Sequence, residues 1–350
     1  MTVRGAQGNP AGRFERFELE VDLSDLAPDD ERPDPKTEFY RDTTKSILSF
    51  NDSPDIPMAA MVNPYRGCEH GCIYCYARPY HEYLGLSAGV DFESKIFVKA
   101  DAPALLRAAL MAKSWTPQVI GLSGVTDPYQ PVERRLTLTR GCLEVLAEFR
   151  NPTALITKNH LVTRDIDVLQ PLAAVDAVQV FLSITTLDDS LAQVMEPRAS
   201  RPALRLEAVR KLREAGIQVG VMIAPIIPGL TDHEVPAILE AAAAAGAMTA
   251  GRNVVRLPHG VKDLFAQWLE VHVPHRKEKV LNRLRAMRDG KLNDSTFGTR
   301  MRGEGPFADS IHQMFDLHRR RVGLTQRLTM SSAAFRRPGS QMDLFGQSQT

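Results

Sequence analysis

The chain has 350 residues, with 43 Lys or Arg, 42 Asp or Glu and a formal net charge of +1, so its overall charge gives no sign of a polyanionic partner. Its first 20 residues lack the apolar core of a secretory signal, and no apolar run reaches the roughly 18 residues of a membrane span. We therefore expect a cytoplasmic protein with no membrane association, in which cysteines stay reduced.

Residues 1–55 are predicted to form an irregular, acidic N-terminal extension. Over residues 1–50, Asp and Glu outnumber Lys and Arg by 11 to 7, and Pro, Asp and Gly are frequent. The periodicity of packed elements begins only at about Met58.

From Met58 the chain alternates between short apolar runs and segments with helical spacing. Near-continuous apolar and β-branched runs are typical of strands buried on both faces. We expect six such strands in these segments: AAMVN, QVIGLSG, TALITKN, AVQVFLSIT, IQVGVMIAP and NVVRLP. We expect an extra edge strand in KIFVK. Six strand–helix repeats predict right-handed βαβ units forming an α/β fold, a partial (β/α)6 barrel over residues 56–260. Its site should lie at the carboxyl ends of the strands.

One helix of this pattern has clear ends. In RPALRLEAVRKLREAG, Leu206, Val209 and Leu212 recur every third residue. Ser200 is the candidate N-terminal cap, and Gly216 is expected to end the helix.

Residues 261–328 are predicted to form a basic, helical C-terminal region. Residues 272–321 contain 12 Lys or Arg against 6 Asp or Glu. In HRKEKVLNRLRAMRDGK, Val280, Leu281, Leu284 and Met287 share one face of a helix. Its charged face is either a solvated surface or a nucleic-acid contact. Residues 329–350 are predicted to be a disordered tail.

Three of the four cysteines lie in the segment GCEHGCIYCYAR, as Cys68, Cys72 and Cys75 with the spacing C-x3-C-x2-C. A structural zinc site takes four Cys or His ligands, commonly as two pairs, and an electron-transfer cluster takes four cysteines. A [4Fe–4S] cluster with three thiolates and one open iron accounts for the missing fourth cysteine, and the open iron can bind S-adenosylmethionine. Zinc, in a non-catalytic interaction module, stays as the alternative.

The cysteine segment resembles the motif of the radical SAM superfamily, with Tyr74 as the aromatic residue before the last cysteine. The wider segments SPDIPMAAMVNPYRGCEHGCIYCYARPYHEY, TDPYQPVE, ITKN, EPR and APIIPGLTD resemble its spore photoproduct lyase-related branch, over about residues 55–325. The resemblance implies an enzyme that cleaves S-adenosylmethionine reductively to a 5′-deoxyadenosyl radical, which abstracts hydrogen from a substrate. It implies a DNA-repair-like enzyme acting on nucleic acid, with RNA, protein or a small molecule as alternatives, and an electron donor such as flavodoxin or ferredoxin.

The resemblance also assigns roles to residues. Cys68, Cys72 and Cys75 would ligate the cluster. Five positions would bind S-adenosylmethionine: Tyr74, Asp127, Lys158, Ser183 and Pro225. Tyr74 and Pro225 would lie near the adenine. The loop of Asp127 would bind the methionine amino group through backbone carbonyls. Lys158 and Ser183 would contact the methionine carboxylate and the ribose.

The chain departs from the lyase pattern at the hydrogen donor. The lyases carry a cysteine at the strand end where this chain has LSGVTDPY, with Ser123 and no cysteine. Ser123 cannot replace a thiol as the hydrogen donor, because the O–H bond of a serine is too strong to give its hydrogen atom to a carbon radical. Tyr129 and Cys142 are the remaining candidates, although a lone cysteine in a helical pattern is commonly a small core residue.

The segment QMDLF at residues 341–345 resembles the peptide with which bacterial repair proteins dock on the DNA sliding clamp. Leu344 and Phe345 would fill an apolar pocket of the clamp, and Gln341 would hydrogen-bond beside them. The alternative is a chance match whose apolar pair folds back onto the core.

Overall fold

The computed structural model describes residues 4–6, 8, 37–122 and 124–339. In chain order the strands are β1 (Glu38–Arg41), β2 (Leu48–Phe50), β3 (Ala60–Val62), β4 (Tyr65–Arg66), β5 (Lys95–Val98), β6 (Ile120–Leu122), β7 (Thr153–Thr157), β8 (Val178–Ser183), β9 (Gln218–Ile226) and β10 (Thr249–Val254). The helices are α1 (Val90–Ser94), α2 (Ala102–Met111), α3 (Glu133–Leu136), α4 (Leu138–Phe149), α5 (Ile166–Ala173), α6 (Asp189–Met195), α7 (Pro202–Glu214), α8 (Val235–Ala244), α9 (Val261–His272), α10 (Pro274–Ala286) and α11 (Pro306–Arg321).

The centre of the fold is a seven-stranded sheet in the order β10-β9-β8-β7-β6-β3-β2. Its first six strands are parallel to their neighbours, and β2 is antiparallel to β3. Helices connect successive parallel strands, and the central strands β3, β6, β7 and β8 are buried on both faces because most of their side chains are apolar. The predicted partial (β/α)6 barrel is confirmed, and all six parallel strands end at the same edge.

The N-terminal part of the chain differs from the sequence prediction. KIFVK forms β5, the centre of a separate three-stranded sheet in the order β1-β5-β4, rather than an edge of the barrel sheet. Its partner β1 is parallel and comes from the segment predicted to be irregular. Phe39 and Tyr40 of β1 are buried, so two aromatic side chains hold this short strand despite its polar neighbours.

Helix α7 forms where the periodicity predicts it, with Val209 and Leu212 fully buried and Gly216 at a positive φ of 80° after its end. Ser200 does not cap it. The Ser200 hydroxyl donates to Asn159 Oδ1 at 3.0 Å and accepts from the His160 N–H at 2.8 Å. The Ser200 hydroxyl is therefore bonded to the loop of Asn159 and His160, although its position in the sequence predicts that it caps the helix.

The C-terminal region contains α9, α10 and α11, and α10 buries Val280, Leu281 and Leu284 against the rest of the protein. Among the described residues, no helix is long and apolar enough to cross a membrane.

Residues 329–339 correct the prediction of a disordered tail, because they lie against the barrel. The Arg336 N–H donates to the Phe149 carbonyl at 2.9 Å, and the Phe335 and Phe149 rings are 6.2 Å apart. Arg337 donates to the Trp115 carbonyl at 2.9 Å. One aromatic anchor and two arginines that satisfy carbonyls order this polar segment.

Candidate active site

The three clustered cysteines lie on the loop that follows the first barrel strand and β4. Cys68 and Cys72 are buried, and Cys75 is half-buried. The Cys68 N–H donates to the Phe92 carbonyl at 2.9 Å, and the Cys75 N–H donates to the Cys72 carbonyl at 3.1 Å. The loop therefore carries three thiols on one short segment whose backbone is fixed by its own turns and by α1.

A second layer of chain packs closely behind this loop. Gly71 has a positive φ of 65°, and a Cβ there would lie 2.7 Å from the Glu93 carboxylate. A Cβ at Gly5 would lie 1.7 Å from the Gly71 carbonyl oxygen. Glu93 accepts hydrogen bonds from the backbone N–H groups of Gly5 at 2.9 Å and Ala6 at 2.8 Å. These contacts leave no room for side chains between the N-terminal residues and the cysteine loop.

Arg78 fixes the same loop from inside. Its guanidinium is fully buried and donates to the carbonyls of Cys72 at 3.0 Å, Gly71 at 3.1 Å and Gly89 at 2.9 Å. It also forms an ion pair with buried Glu93. A planar guanidinium with five N–H groups can satisfy several loop carbonyls at once. Arg78 therefore determines the shape of the loop that carries the thiols.

Burial raises the pKa of all three thiols. At Cys75, the backbone N–H groups of Ala77 and Arg78 oppose this effect. Within the described ranges, no three His, Cys, Asp or Glu side chains are placed to share a single metal ion. Buried thiols on one loop become thiolates when iron takes the proton's place, so this donor set fits an iron–sulfur cluster.

Asp127 lies in the loop after β6, and its side chain connects that loop to the end of β7. Its carboxylate accepts from Thr157 Oγ1 at 2.6 Å and from the N–H groups of Lys158 at 2.8 Å and Tyr129 at 2.9 Å, with His70 Nδ1 at 3.4 Å. Burial alone would raise the pKa of Asp127, but His70 and these hydrogen bonds outweigh burial and lower it. The Asp127 carboxylate is therefore engaged by protein groups on both of its oxygens.

A second polar network surrounds Glu196, which is fully buried. Tyr74 and Arg205 donate to its carboxylate, Thr185 Oγ1 donates at 2.8 Å, and Lys158 Nζ lies 3.4 Å away. Burial alone would raise the pKa of Glu196, but Arg205 and Lys158 hold it well below its usual range. Two cations thus share one carboxylate, and one positive charge is left for an anion.

The ends of three neighbouring strands meet at this network. Lys158 follows β7 and donates from Nζ to the Ala224 carbonyl at 3.0 Å, directly before Pro225 in β9. Ser183 ends β8, and its carbonyl accepts from Arg205 Nη1 at 2.9 Å. The fold therefore brings Tyr74, Lys158, Ser183 and Pro225, expected from the sequence, into one region.

Sequence reasoning did not assign roles to Thr185, Glu196 and Arg205. In the sequence, Glu196 is identifiable only as the first residue of the EPR segment, which carries part of the family resemblance. Glu196 contacts Tyr74 across 122 positions of sequence, so no local pattern links them. The available signal was the Glu-Pro-Arg segment at residues 196–198, a charged pair between two helical patterns.

The two expected hydrogen donors lie in the main core. Tyr129 is fully buried, and its O–H donates to Asp165 at 3.0 Å. Cys142 is fully buried on α4. Ser123 lies outside the described residues. Neither described donor side chain belongs to the polar networks around the cysteine loop.

The family model described as the radical SAM superfamily matches residues 62–242 of the chain. This match spans the cysteine loop and the strands β6 to β9, together with the helix α7 and most of α8.

Two relatives are similar to this chain in sequence. An uncharacterized protein of Mycobacterium tuberculosis (strain ATCC 25618 / H37Rv) is 36% identical over 234 residues, which cover 66% of this chain and 69% of the relative. The radical SAM Nalpha-GlyT isomerase of Pseudomonas phage M6 is 23% identical over 201 residues, which cover 56% of this chain and 39% of the isomerase.

The fold is similar to solved structures of spore photoproduct lyase. A mutant of that enzyme with bound AdoMet and dinucleoside spore photoproduct has a TM-score of 0.57 and 16% identity, covering 81% of this chain and 79% of the lyase. A lyase complexed with the same dinucleoside also has a TM-score of 0.57, with the same identity and coverage. At this identity the likeness concerns the fold alone.

Proposed function

Because this chain belongs to the radical SAM superfamily, we propose that it starts a radical reaction on DNA. The chain is a radical SAM enzyme that binds a [4Fe–4S] cluster and S-adenosylmethionine. Family membership sets aside the alternative of a non-catalytic zinc module. The substrate, the residues that bind each group and the reaction are the proposals developed below.

Cys68, Cys72 and Cys75 are the proposed cluster ligands. They are supported by their shared loop, their burial and the way Arg78 fixes the loop carbonyls. When bound and reduced, the cluster supplies the electron that cleaves S-adenosylmethionine to a 5′-deoxyadenosyl radical, which abstracts hydrogen from the substrate.

The network around Glu196 is the proposed cofactor cradle. Lys158 carries the positive charge that its neighbours do not fully neutralise, so it suits the methionine carboxylate. Ser183 and Pro225, at the ends of β8 and β9, suit the ribose and adenine. Tyr74 is held beside them by Glu196. For Asp127 the proposed contact is through the carbonyls of its loop, because its carboxylate is engaged.

The proposal of a DNA substrate is supported by a cavity with basic walls. It has a volume of about 500 Å³ and lies beside Pro228 and Gly229, directly after the carboxyl end of β9. The wall is formed by α10 and α11 and includes Arg276, Lys279, Arg283 and Phe307. Cations beside an exposed aromatic ring suit a phosphate with its neighbouring base.

Arg283 is the cation of this cavity that has partners within the described residues. It forms an ion pair with Asp232 at 2.6 Å and lies 5.4 Å from the centre of the Phe307 ring. Arg276 and Lys279 form no ion pair within the described residues. At least two of the three cations are thus available to phosphates.

The similar proteins support the same substrate class. The lyase structures contain a dinucleoside, and the phage relative is named an isomerase of Nalpha-GlyT. The reaction that we propose is modification or repair of DNA that begins with hydrogen abstraction. It is not specifically the reversal of a thymine photoproduct, because Tyr129 and Cys142 lie in the core.

Deuterium transfer tests the substrate. The reduced enzyme would be incubated anaerobically with S-adenosylmethionine and uniformly deuterated DNA, RNA or protein, and 5′-deoxyadenosine would be analysed by mass spectrometry. We expect deuterium in 5′-deoxyadenosine with DNA. Deuterium acquired only from RNA or protein would contradict a DNA substrate and identify the alternative class.

The remaining partners follow from the chemistry. We propose flavodoxin or ferredoxin as electron donor and the cytoplasm as location, where thiols and cluster stay reduced.

Gln341, Leu344 and Phe345 lie outside the described residues, and docking of this segment on the DNA sliding clamp stays a proposal from sequence alone. Such tethering would raise the enzyme's effective concentration at DNA. A peptide of residues 336–350 should bind the clamp saturably, and the Leu344→Ala/Phe345→Ala peptide should not. Absence of wild-type binding at high micromolar peptide would refute docking.

A further inference from the structure

A second positive site lies at the mouth of the barrel, next to the cysteine loop. Tyr76 directly follows Cys75, and its O–H donates to the Gly124 carbonyl at 2.5 Å. The Tyr76 ring is 42% exposed and faces the Arg256 guanidinium at 5.6 Å. Arg256 lies two residues beyond β10, so it belongs to the edge where parallel strands present their functional residues.

Arg256 has no hydrogen-bond or ion-pair partner in the part of the chain that the structure describes, and its Nε is fully buried. Burial lowers the pKa of Arg256, and the positive charge of Arg300 lowers it further. A buried N–H without an acceptor destabilises the fold, and more so when the group is charged. Among the described residues, the Arg256 guanidinium therefore has no anion bound to it.

The neighbouring charges do not supply that anion. The charged and titratable groups that face Arg256 are Arg300, Arg288, Asp55, Tyr76 and Tyr80. Asp55 is already engaged, because one carboxylate oxygen accepts from Arg300 Nε and the other accepts from the Gly298 N–H at 2.7 Å. Arg300 and Asp55 neutralise each other, so the charge of Arg256 is left over.

Exposed aromatic rings surround the same point. Tyr80 is 52% exposed, and Phe297 is 53% exposed with the Arg300 guanidinium 4.4 Å from its ring centre. Exposed aromatic rings beside cations are the surface on which unpaired bases stack while phosphates meet guanidinium groups. A carboxylate ligand would use the cation but would have no need of the rings.

We propose that Arg256 binds a phosphodiester of the DNA substrate at the barrel mouth, while Tyr76, Tyr80 and Phe297 stack on flanking bases. This assignment rests on the proposed function and deepens it. The site adjoins Cys75 through Tyr76, so a phosphate held there places the adjoining nucleotide beside the cysteine loop. The basic cavity of α10 and α11 would then hold phosphates further along the strand.

The test is the salt dependence of DNA binding by the intact, cluster-containing enzyme. A fluorescein-labelled ten-nucleotide single strand would be titrated anaerobically against wild type, Arg256→Gln, Arg256→Lys and the control Arg210→Gln. Arg210 is an exposed arginine on α7 that pairs with Glu214. Circular dichroism and iron content would verify that each variant is folded and loaded.

Loss of one charge-assisted phosphate contact should weaken binding about tenfold in Arg256→Gln. It should also reduce the slope of log K against log salt by about 0.7. Arg256→Lys should restore the slope but only part of the affinity, because an ammonium lacks the guanidinium fork. Arg210→Gln should change neither quantity.

Two results would overturn the assignment while leaving a DNA substrate intact. One is an Arg256→Gln variant with the affinity and slope of the control. The other is weaker binding with an unchanged slope, which would mean that Arg256 only positions its loop. Absence of wild-type DNA binding would instead refute the proposed function, and Arg256-dependent binding of an acidic peptide would identify a protein substrate.

Discussion

The cysteine side of the barrel and the basic C-terminal region both depend on arginine, in opposite surroundings. On the cysteine side, Arg78 and Arg205 are fully buried, and each is paired with a buried carboxylate, Glu93 and Glu196 respectively. Each guanidinium also donates to backbone carbonyls. These arginine charges are neutralised inside the protein, and their hydrogen bonds determine the positions of the loops.

In the C-terminal region the cations lie on a cavity wall instead. Arg276 and Lys279 border an open cavity, with Asp232 as the carboxylate on the same wall, already paired with Arg283. A compensated charge in the interior builds geometry, because an unpaired one would destabilise the fold. An uncompensated charge at the surface remains available to a ligand. The comparison predicts that substitutions in the first region affect the fold and cofactors, whereas those in the second affect binding.

The largest effect is expected from Cys72→Ala, which removes a thiol from the compensated region. The variant should lose its cluster iron and reductive cleavage of S-adenosylmethionine should fall to background, because two thiolates cannot hold the cluster. Iron content, absorbance near ~400 nm and 5′-deoxyadenosine release measure this. Cys142→Ala is the matched control and should keep its iron. A Cys72→Ala protein that retained the cluster would refute the ligand assignment.

Glu196→Ala should have the next largest effect. It leaves Arg205 and Lys158 without their shared carboxylate, and breaking a buried pair on one side costs about 3–5 kcal/mol of unfolding free energy. Anaerobic urea unfolding, followed by tryptophan fluorescence, measures the loss. The control Glu214→Ala removes an exposed partner of Arg210 and should cost about 1 kcal/mol or less. Equal losses in both variants would contradict the contrast between the regions.

The pH dependence of stability tests the same contrast between buried and exposed carboxylates. The folded pKa values of Glu196 and Asp127 are lowered, so each carboxylate stabilises the protein fully above its unfolded pKa of about 4. That stability is lost as the pH falls through the folded pKa. The urea midpoint should therefore hold from pH 8 to about pH 6 and decline below about pH 5. Glu196→Gln should show a shallower acid decline than Glu214→Gln, and parallel curves would disagree with this origin.

The smallest change in stability is expected from Arg276→Gln/Lys279→Gln in the cavity. Surface substitutions of this kind change unfolding free energy by about 0.5 kcal/mol or less. The slope of single-stranded DNA affinity against salt should nevertheless fall by about 1.4, because about 0.7 is lost per phosphate contact. Arg210→Gln/Lys211→Gln removes the same charge from α7 and should leave the slope unchanged. A slope equal to the control would show that the cavity does not bind phosphates.

Several features of this protein were open to prediction because they are local in sequence. The triplet Cys68, Cys72 and Cys75 lies within eight residues, and its spacing indicates the cofactor class. The apolar strand runs and the helical period of α7 follow from side-chain alternation along one segment. KIFVK, read as an edge strand, formed the centre of a second sheet, since strand order depends on which distant segment pairs with it.

The sequence by itself determined the barrel class and the radical SAM chemistry. The tertiary structure decided which charges are paired. Glu196 is neutralised by Lys158, which follows β7, and by Arg205 of α7. Arg256 is left unpaired among the described residues because Asp55, some 200 positions away, is taken by Arg300. Whether one charge neutralises another depends on the distance between them and on their burial, because the interaction is stronger in the interior than in water. No spacing along the chain encodes those distances, and so the anion site that we propose at the barrel mouth can be inferred only from the folded protein.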